Sequence, residues 1–298
     1  MSTIAFLGLG NMGGPMAANL VRAGHDVRGF DPVPAAQERA RDNGVTICPS
    51  GTEAASGADV VVTMFPNGAI LLDSYQGGLI EAAPSALFID SSTIDVAQAR
   101  RAGELVRAAG GRFVDAPVSG GITGATQGTL TFMVGGDDED LEAARPTLEA
   151  MGRTIVHCGV VGAGQAVKLC NNMVLGVTMI AVSEAFVLAE SLGVSDDVFF
   201  DVASHATASC WALNSNCPVP GQVETSPANR GFAPPGFLGA LMSKDLGLAL
   251  SAIDQTGTDA RMGRLAAELY RDYAAGEGAG RDFGGIIESI RERSGGQQ

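Results

Sequence analysis

Thr3-Ile4-Ala5-Phe6-Leu7-Gly8-Leu9-Gly10-Asn11-Met12-Gly13 decides the fold. Its apolar run, Ile4-Ala5-Phe6-Leu7, predicts a strand over 3–7 that leads straight into a glycine loop. Residues 8–13 fit the pattern GxGxxG. The first glycine permits a tight turn, the second lets backbone approach a pyrophosphate, and the third lets a helix pack closely on the strand. The helix expected over 15–22 points amide donors and a positive dipole end at the same place. Gly8, Gly10, Asn11, Met12 and Gly13 are therefore candidate phosphate contacts. A second strand, expected over 26–30, runs into Asp31, eighteen residues after Gly13. An acid there accepts hydrogen bonds from ribose hydroxyls and repels a 2′-phosphate, which favours NAD over NADP. A glycine turn alone is a weak signal, and Asp31 could simply open a turn at Pro32. The order strand, loop, helix, acid is what makes the pattern specific.

Working outward, further strands are expected over 60–64, 87–90, 112–115, 129–134 and 154–157, with helices over 34–42, 96–109 and 139–151. This alternation implies βαβ units and a mostly parallel sheet. Strand signals stop at Gly159-Val160-Val161-Gly162-Ala163-Gly164. One long helix, apolar on most faces, is expected from Gln165 to about Leu192, which suggests burial between domains or subunits. More helices are expected over 195–204, 238–255, 259–275 and 283–293. Residues 214–236 hold five prolines and predict a structured loop. The expected fold class is α/β: a dinucleotide-binding domain over 1–162, then an all-helical domain over 163–298, joined by the long helix.

The formal charge of −14 argues against a nucleic-acid partner and against an anionic membrane surface. A small anionic substrate stays compatible with it, because local charge can oppose the global field. No apolar run is read as a membrane span, and the residues before the glycine loop form no leader peptide. Five cysteines without a CxxC pair read as reduced thiols in a cytoplasmic protein. The three histidines form no metal-ligand spacing with them, so no metal is expected.

Two lysines, Lys168 and Lys244, stand against seventeen arginines. A lysine can lose its proton on burial or beside another cation, whereas arginine stays charged. Composition alone leaves both open to being ordinary surface residues. Lys168 and Asn172 are spaced i, i+4 on the long helix and share a face, with Asn171 to the side. Together they could hold the oxygen of a reacting alcohol. Asp115-Ala116-Pro117-Val118-Ser119-Gly120-Gly121 follows an expected strand. Its glycines leave amides unshielded for a carboxylate, with the Ser119 hydroxyl beside them; read alone, an ordinary glycine-rich turn fits equally.

These stretches together resemble the β-hydroxyacid dehydrogenases, and within them the branch acting on 3-hydroxyisobutyrate. The resemblance runs in order through residues 6–13, Asp90-Ser91-Ser92-Thr93-Ile94-Asp95, 115–121, Thr131-Phe132-Met133-Val134-Gly135-Gly136, 162–172 and Lys244-Asp245-Leu246-Gly247-Leu248-Ala249. It implies a Rossmann-type first domain, NAD as cofactor and Lys168 as the catalytic residue. Ser119, Gly120 and Gly121 match the family's carboxylate loop, and Asn172 its substrate-orienting amide. Phe65, Pro66 and Thr93 match positions lining the cofactor, and Lys244 a lysine near its nicotinamide end. Phe65 stands where the family commonly has leucine, and Ile70 where some members have asparagine.

The resemblance further implies oxidation of 3-hydroxyisobutyrate in valine breakdown; the long apolar helix suggests a homodimer or homotetramer, with a buried interdomain helix as the other reading. A sibling activity on tartronate semialdehyde, glycerate or L-serine is an alternative, as is a non-catalytic NAD-binding sensor. The intact Lys168 and Asn172 speak against the sensor. Trp211, Phe232 and Phe237 are expected to wall the pocket at substrate C2, with Glu224 as the nearest carboxylate in sequence.

Overall fold

The computed structural model describes residues 1–295. The chain forms two compact units, Met1–Lys168 and the residues from Leu169 onward.

The first unit runs β1 (Thr3–Leu7), α1 (Gly13–Arg22), β2 (Asp26–Phe30), α2 (Pro34–Asp42), β3 (Thr46–Ile47), α3 (Gly51–Ala55), β4 (Val60–Thr63), α4 (Gly68–Ser74), α5 (Ile80–Ala82), β5 (Leu87–Asp90), α6 (Val96–Ala108), β6 (Arg112–Asp115), β7 (Val118–Ser119), α7 (Gly121–Gln127), β8 (Leu130–Gly135), α8 (Asp138–Glu149) and β9 (Gly152–Gly159). The sheet order is β3-β2-β1-β4-β5-β6-β8-β7, with β9 also paired to β8. All pairings within the run β3-β2-β1-β4-β5-β6 are parallel. β8 is antiparallel to β6 and β7 but parallel to β9.

β1 explains the layering. Ile4 and Phe6 face Met16, Ala17 and Leu20 of α1 on one side of the sheet. Ala5 and Leu7 face Ala54, Leu71 and Tyr75 on the other. Side chains alternate across a strand, so an all-apolar strand belongs in a sheet covered on both faces. The chain leaves β1 toward β2 and β3, then returns to β4 on β1's other side. Strand order reverses there, and the crevice beyond the strands' carboxyl ends is where ligands bind in such sheets.

The second unit is helical. α9 (Ala163–Ser191) begins in the first unit and continues through the second, followed by α10 (Asp196–His205), α11 (Trp211–Asn214), α12 (Gly239–Thr256), α13 (Arg261–Ala274) and α14 (Ile286–Gly295). Met179 and Ile180 of α9 pack with Met242 and Leu246 of α12 and Tyr270 of α13. Phe186 and Val187 pack with Ala203, Leu213, Phe232 and Ile290. The loop between α11 and α12 is held by Asp282, whose Oδ2 accepts from the amides of Gly236 and Phe237.

Several elements differ from expectation. β3 and β7 are two residues each, too short for a periodic signal. α7 opens on Gly121 and holds two glycines, so its sequence reads as loop. β8 makes the sheet mixed. By length and composition α9 is apolar enough to cross a membrane, although half of that stretch is buried inside the protein. Thr178 sits within this helix with its hydroxyl donating to the Val174 carbonyl at 2.9 Å.

Candidate functional site

The three glycines after β1 do different work. Gly8 has φ +93°, and a Cβ there would lie 2.3 Å from the Met64 carbonyl oxygen. A Cβ on Gly13 would lie 1.9 Å from the Gly8 carbonyl oxygen, so α1 packs on the turn only with glycine there. A Cβ on Gly10 would meet nothing within 4 Å. Gly10 and Asn11 are exposed, Met12 half-buried, and no side chain caps α1. The result is a turn locked below and open above, at the positive end of a helix. These residues fit a dinucleotide pyrophosphate.

Asp31 closes the turn from the side. It is buried; its Oδ2 accepts from the Leu9 amide at 2.7 Å and its Oδ1 from the Val33 amide at 2.8 Å. Each carboxylate oxygen keeps a lone pair for a ribose hydroxyl.

Phe65 and Pro66 follow β4, and Thr93 follows β5. The Phe65 amide donates to Ser92 Oγ at 2.8 Å, and Ser92 Oγ donates to Asp90 Oδ1 at 2.6 Å. Thr63 Oγ1 donates to the same oxygen at 2.8 Å. Asp90 is fully buried and its Oδ2 has no hydrogen-bond partner among the described residues. Burial pushes its carboxyl up to about 7, against the hydrogen bonds of Ser92 and Thr63 and with a further push from Asp115.

Asp115 ends β6 and reaches the start of α9. Its Oδ1 accepts from the Gly162 amide at 2.6 Å and its Oδ2 from the Gln165 amide at 2.9 Å. Burial raises this carboxyl to about 6 although those amides oppose the rise. Gln165, fully buried, adds a second tie: its Oε1 accepts from the Ile94 amide at 3.1 Å, and its Nε2 donates to the Ser92 carbonyl at 2.7 Å. Sequence reading missed Asp90, Asp115 and Gln165 as parts of the site. The one available signal was that Asp90 and Asp115 each end an apolar strand.

Ser119 is half-buried at the end of β7. Gly120 and Gly121 follow with φ +129° and +60°, a backbone path that glycine takes without strain. Lys168 is 7% exposed on α9, and Asn172 lies one turn later on the same face, also buried. Asn171 is exposed, as its sideways position predicts.

In the second unit, Asn172 Nδ2 donates to Asp245 Oδ2 at 2.6 Å, and Asn171 Nδ2 donates to Asn172 Oδ1 at 3.0 Å. Lys244 Nζ lies 3.6 Å from Asp245 Oδ1. Asp245 thus links Asn172 with Lys244. The aromatic wall expected from sequence is dispersed. Phe232 is buried in a core cluster with Phe186 and Ile287, and Phe237 packs edge-on against Phe283 with centroids 5.7 Å apart. Trp211 is 56% exposed, and Glu224 is also exposed. Among the described residues, no group of three His, Cys, Asp or Glu side chains could hold a metal.

Two families match in succession. The NAD binding domain of 6-phosphogluconate dehydrogenase matches residues 3–159. The NAD-binding domain of NADP-dependent 3-hydroxyisobutyrate dehydrogenase matches residues 162–290. A probable 3-hydroxyisobutyrate dehydrogenase of Mycobacterium tuberculosis is 55% identical over 294 residues, covering 99% of each chain. A solved Mycobacterium tuberculosis 3-hydroxyisobutyrate dehydrogenase, described with L-serine, has TM-score 0.93 and 55% identity, covering 98% of this chain and 99% of its own. An NAD-dependent L-serine dehydrogenase of Pseudomonas aeruginosa is 42% identical, covering all of both chains. On these matches, this chain belongs to the 3-hydroxyisobutyrate dehydrogenase family of β-hydroxyacid dehydrogenases.

Proposed function

We propose that this protein oxidises 3-hydroxyisobutyrate to methylmalonate semialdehyde with NAD, as a step of valine breakdown. The observation that carries the chemistry is Lys168, a buried lysine one helical turn from the buried amide of Asn172. The substrate reading is supported by relatives named for 3-hydroxyisobutyrate over their full length.

Gly8, Gly10, Asn11, Met12 and Gly13 hold the pyrophosphate and Asp31 the ribose, while Phe65, Pro66 and Thr93 line the remainder; for Lys244 a role near the nicotinamide end is what the family resemblance implies. When bound, NAD supplies the hydride acceptor. Ser119, Gly120 and Gly121 hold the substrate carboxylate, which fixes C3 and its hydroxyl. Asn172 orients that hydroxyl. Lys168, neutral at the moment of reaction, takes the hydroxyl proton onto Nζ as C3 loses its hydride. In the reverse direction the Lys168 ammonium polarises the aldehyde oxygen and returns the proton.

L-Serine is the second reading, favoured by the neighbour described with L-serine and by the relative named for it. Glycerate or tartronate semialdehyde, and a non-catalytic sensor, rank below both. Initial rates with NAD over 3-hydroxyisobutyrate, L-serine and glycerate test the assignment: no oxidation of any would leave the sensor. We place the enzyme in the cytoplasm as a homodimer or homotetramer, in keeping with five free cysteines and with exposed Val174, Met262 and Leu265. Analytical ultracentrifugation tests the assembly, and a monomer would reject it.

A further inference from the structure

Substrate and cofactor binding do not account for the buried polar contacts at the start of α9. Gly162, just before the helix, has φ +92° and no side chain, so it cannot cap the helix itself. Asp115 does so from 47 residues earlier, with one oxygen on the Gly162 amide and the other on the Gln165 amide. Two-point attachment fixes rotation as well as distance, which a single hydrogen bond does not.

The space around this carboxylate is built for it. A Cβ on Gly135 would lie 2.4 Å from Asp115 Oδ1, and one on Gly164 would lie 2.8 Å from Asp115 Oδ2. Gln165 ties the same turn to the loop after β5 through both ends of its amide. Lys168 is three residues beyond Gln165, on the adjoining turn of that anchored segment. On the strand side, Ser119 lies four residues beyond Asp115. The backbone between them is fixed by pairing to β8, with Asp115 opposite Gly135 and Ser119 opposite Thr131.

We infer that Asp115, with Gln165 beside it, is a positioning residue: it holds the Lys168 amine in register with the carboxylate loop at Ser119, Gly120 and Gly121. This rests on the proposed role of Lys168. Substitution by asparagine keeps the shape at 115 but turns one acceptor into a donor facing the N–H groups of α9. The first turn then loses one of its two attachments, and Lys168 loses its fixed place.

The test is a double-mutant cycle in kcat at saturating NAD and substrate, with NADH affinity read by fluorescence. Asp115→Asn is expected to lower kcat about 10²-fold, the scale of an ångström-size misplacement, with NADH affinity changed less than about threefold. In a Lys168→Arg background, Asp115→Asn is expected to cost less than about threefold more, because a residue acting through Lys168 has nothing left to position. Multiplying losses in the double variant, or wild-type kcat in Asp115→Asn while Lys168→Arg is inactive, would overturn the inference and leave the Lys168 reading standing. Wild-type turnover in Lys168→Arg would remove both. Should Asp115→Asn not fold, the same cycle with Gln165→Met is decided on the same criteria.

Discussion

Asp90 and Asp115 stand opposite each other at the carboxyl ends of adjacent parallel strands, and both are fully buried. They are held differently. Asp115 accepts backbone amides with both oxygens, whereas Asp90 gathers Thr63 and Ser92 on one oxygen. Burial raises both carboxyls above the ordinary value of 3.8, to about 7 for Asp90 and about 6 for Asp115. The folded state therefore holds these protons more tightly than the unfolded chain. The stability so contributed is fully present below the unfolded value and is lost as pH rises through about 6 and then about 7.

Asp90→Asn removes the charge while one oxygen still accepts from Thr63 and Ser92. It is expected to melt higher than wild type at pH 8, by roughly 2–4 °C for each kcal/mol recovered. The advantage should shrink steadily below pH 7 and be gone near pH 4. Thermal melts of both proteins across that range measure it. A constant difference at every pH would show that the ionisation of Asp90 is not the cause.

Lys168→Arg keeps the positive charge but cannot take a proton. Turnover is expected to fall by roughly 10²–10⁴, the range for acid–base catalysis. Steady-state kinetics with a circular dichroism check of folding suffice, and near-normal kcat would reject the role.

Gly10 and Gly13 should separate binding from folding. Gly10→Ala meets no atom within 4 Å and is expected to fold with an unchanged Tm. Its methyl group enters the space assigned to the pyrophosphate, so the KM for NAD should rise about tenfold, or 1.4 kcal/mol. Gly13→Ala forces a Cβ onto the Gly8 carbonyl and should cost roughly 1–3 kcal/mol of stability. Equal effects of the two on Tm would contradict this division.

Asp31 is expected to set cofactor choice. Its carboxylate is buried beside the glycine turn and would face a 2′-phosphate at close range. Asp31→Ser should raise the NADP-to-NAD ratio of kcat/KM by about tenfold or more, one lost repulsion of roughly 1.4 kcal/mol. It should also loosen the turn, since the Leu9 amide loses its acceptor. An unchanged ratio would show that discrimination lies elsewhere.

Legibility in the sequence followed the range of the interaction. β1, β5 and β6 and the helices α2 and α6 are near their expected bounds, because their apolar patterns are local. The glycine turn and Asp31 were legible for the same reason. The ties of Asp115 to Gln165, of Asn172 to Asp245 and of Gln165 to Ile94 span 50, 73 and 71 residues. No periodicity reports a hydrogen bond across such a separation. Phe232 and Phe237 were placed by aromatic character as a pocket wall, yet the same character serves a helical core.

The substrate prediction depends on what faces C2. In the proposed site the 119–121 loop, Lys168 and Asn172 would meet a carboxylate and a C3 hydroxyl, which 3-hydroxyisobutyrate, L-serine and glycerate share. They cannot choose between methyl, ammonium and hydroxyl at C2. An ammonium needs an acceptor when buried, and leaving it unpaired costs several kcal/mol. Glu224, the carboxylate that sequence suggested for that purpose, is exposed. Asp245 is buried but already accepts from Asn172 and sits beside Lys244. The expected order in kcat/KM is therefore 3-hydroxyisobutyrate first, with glycerate rejected only modestly because a neutral hydroxyl is cheaper to bury. L-Serine should come last at neutral pH and improve as pH rises and its amine loses charge. Steady-state kinetics on the three acids at pH 7 and pH 9.5, with saturating NAD, give the order directly. L-Serine in first place at pH 7 would mean that Asp245 or another carboxylate receives its ammonium, and the serine reading would then replace this one.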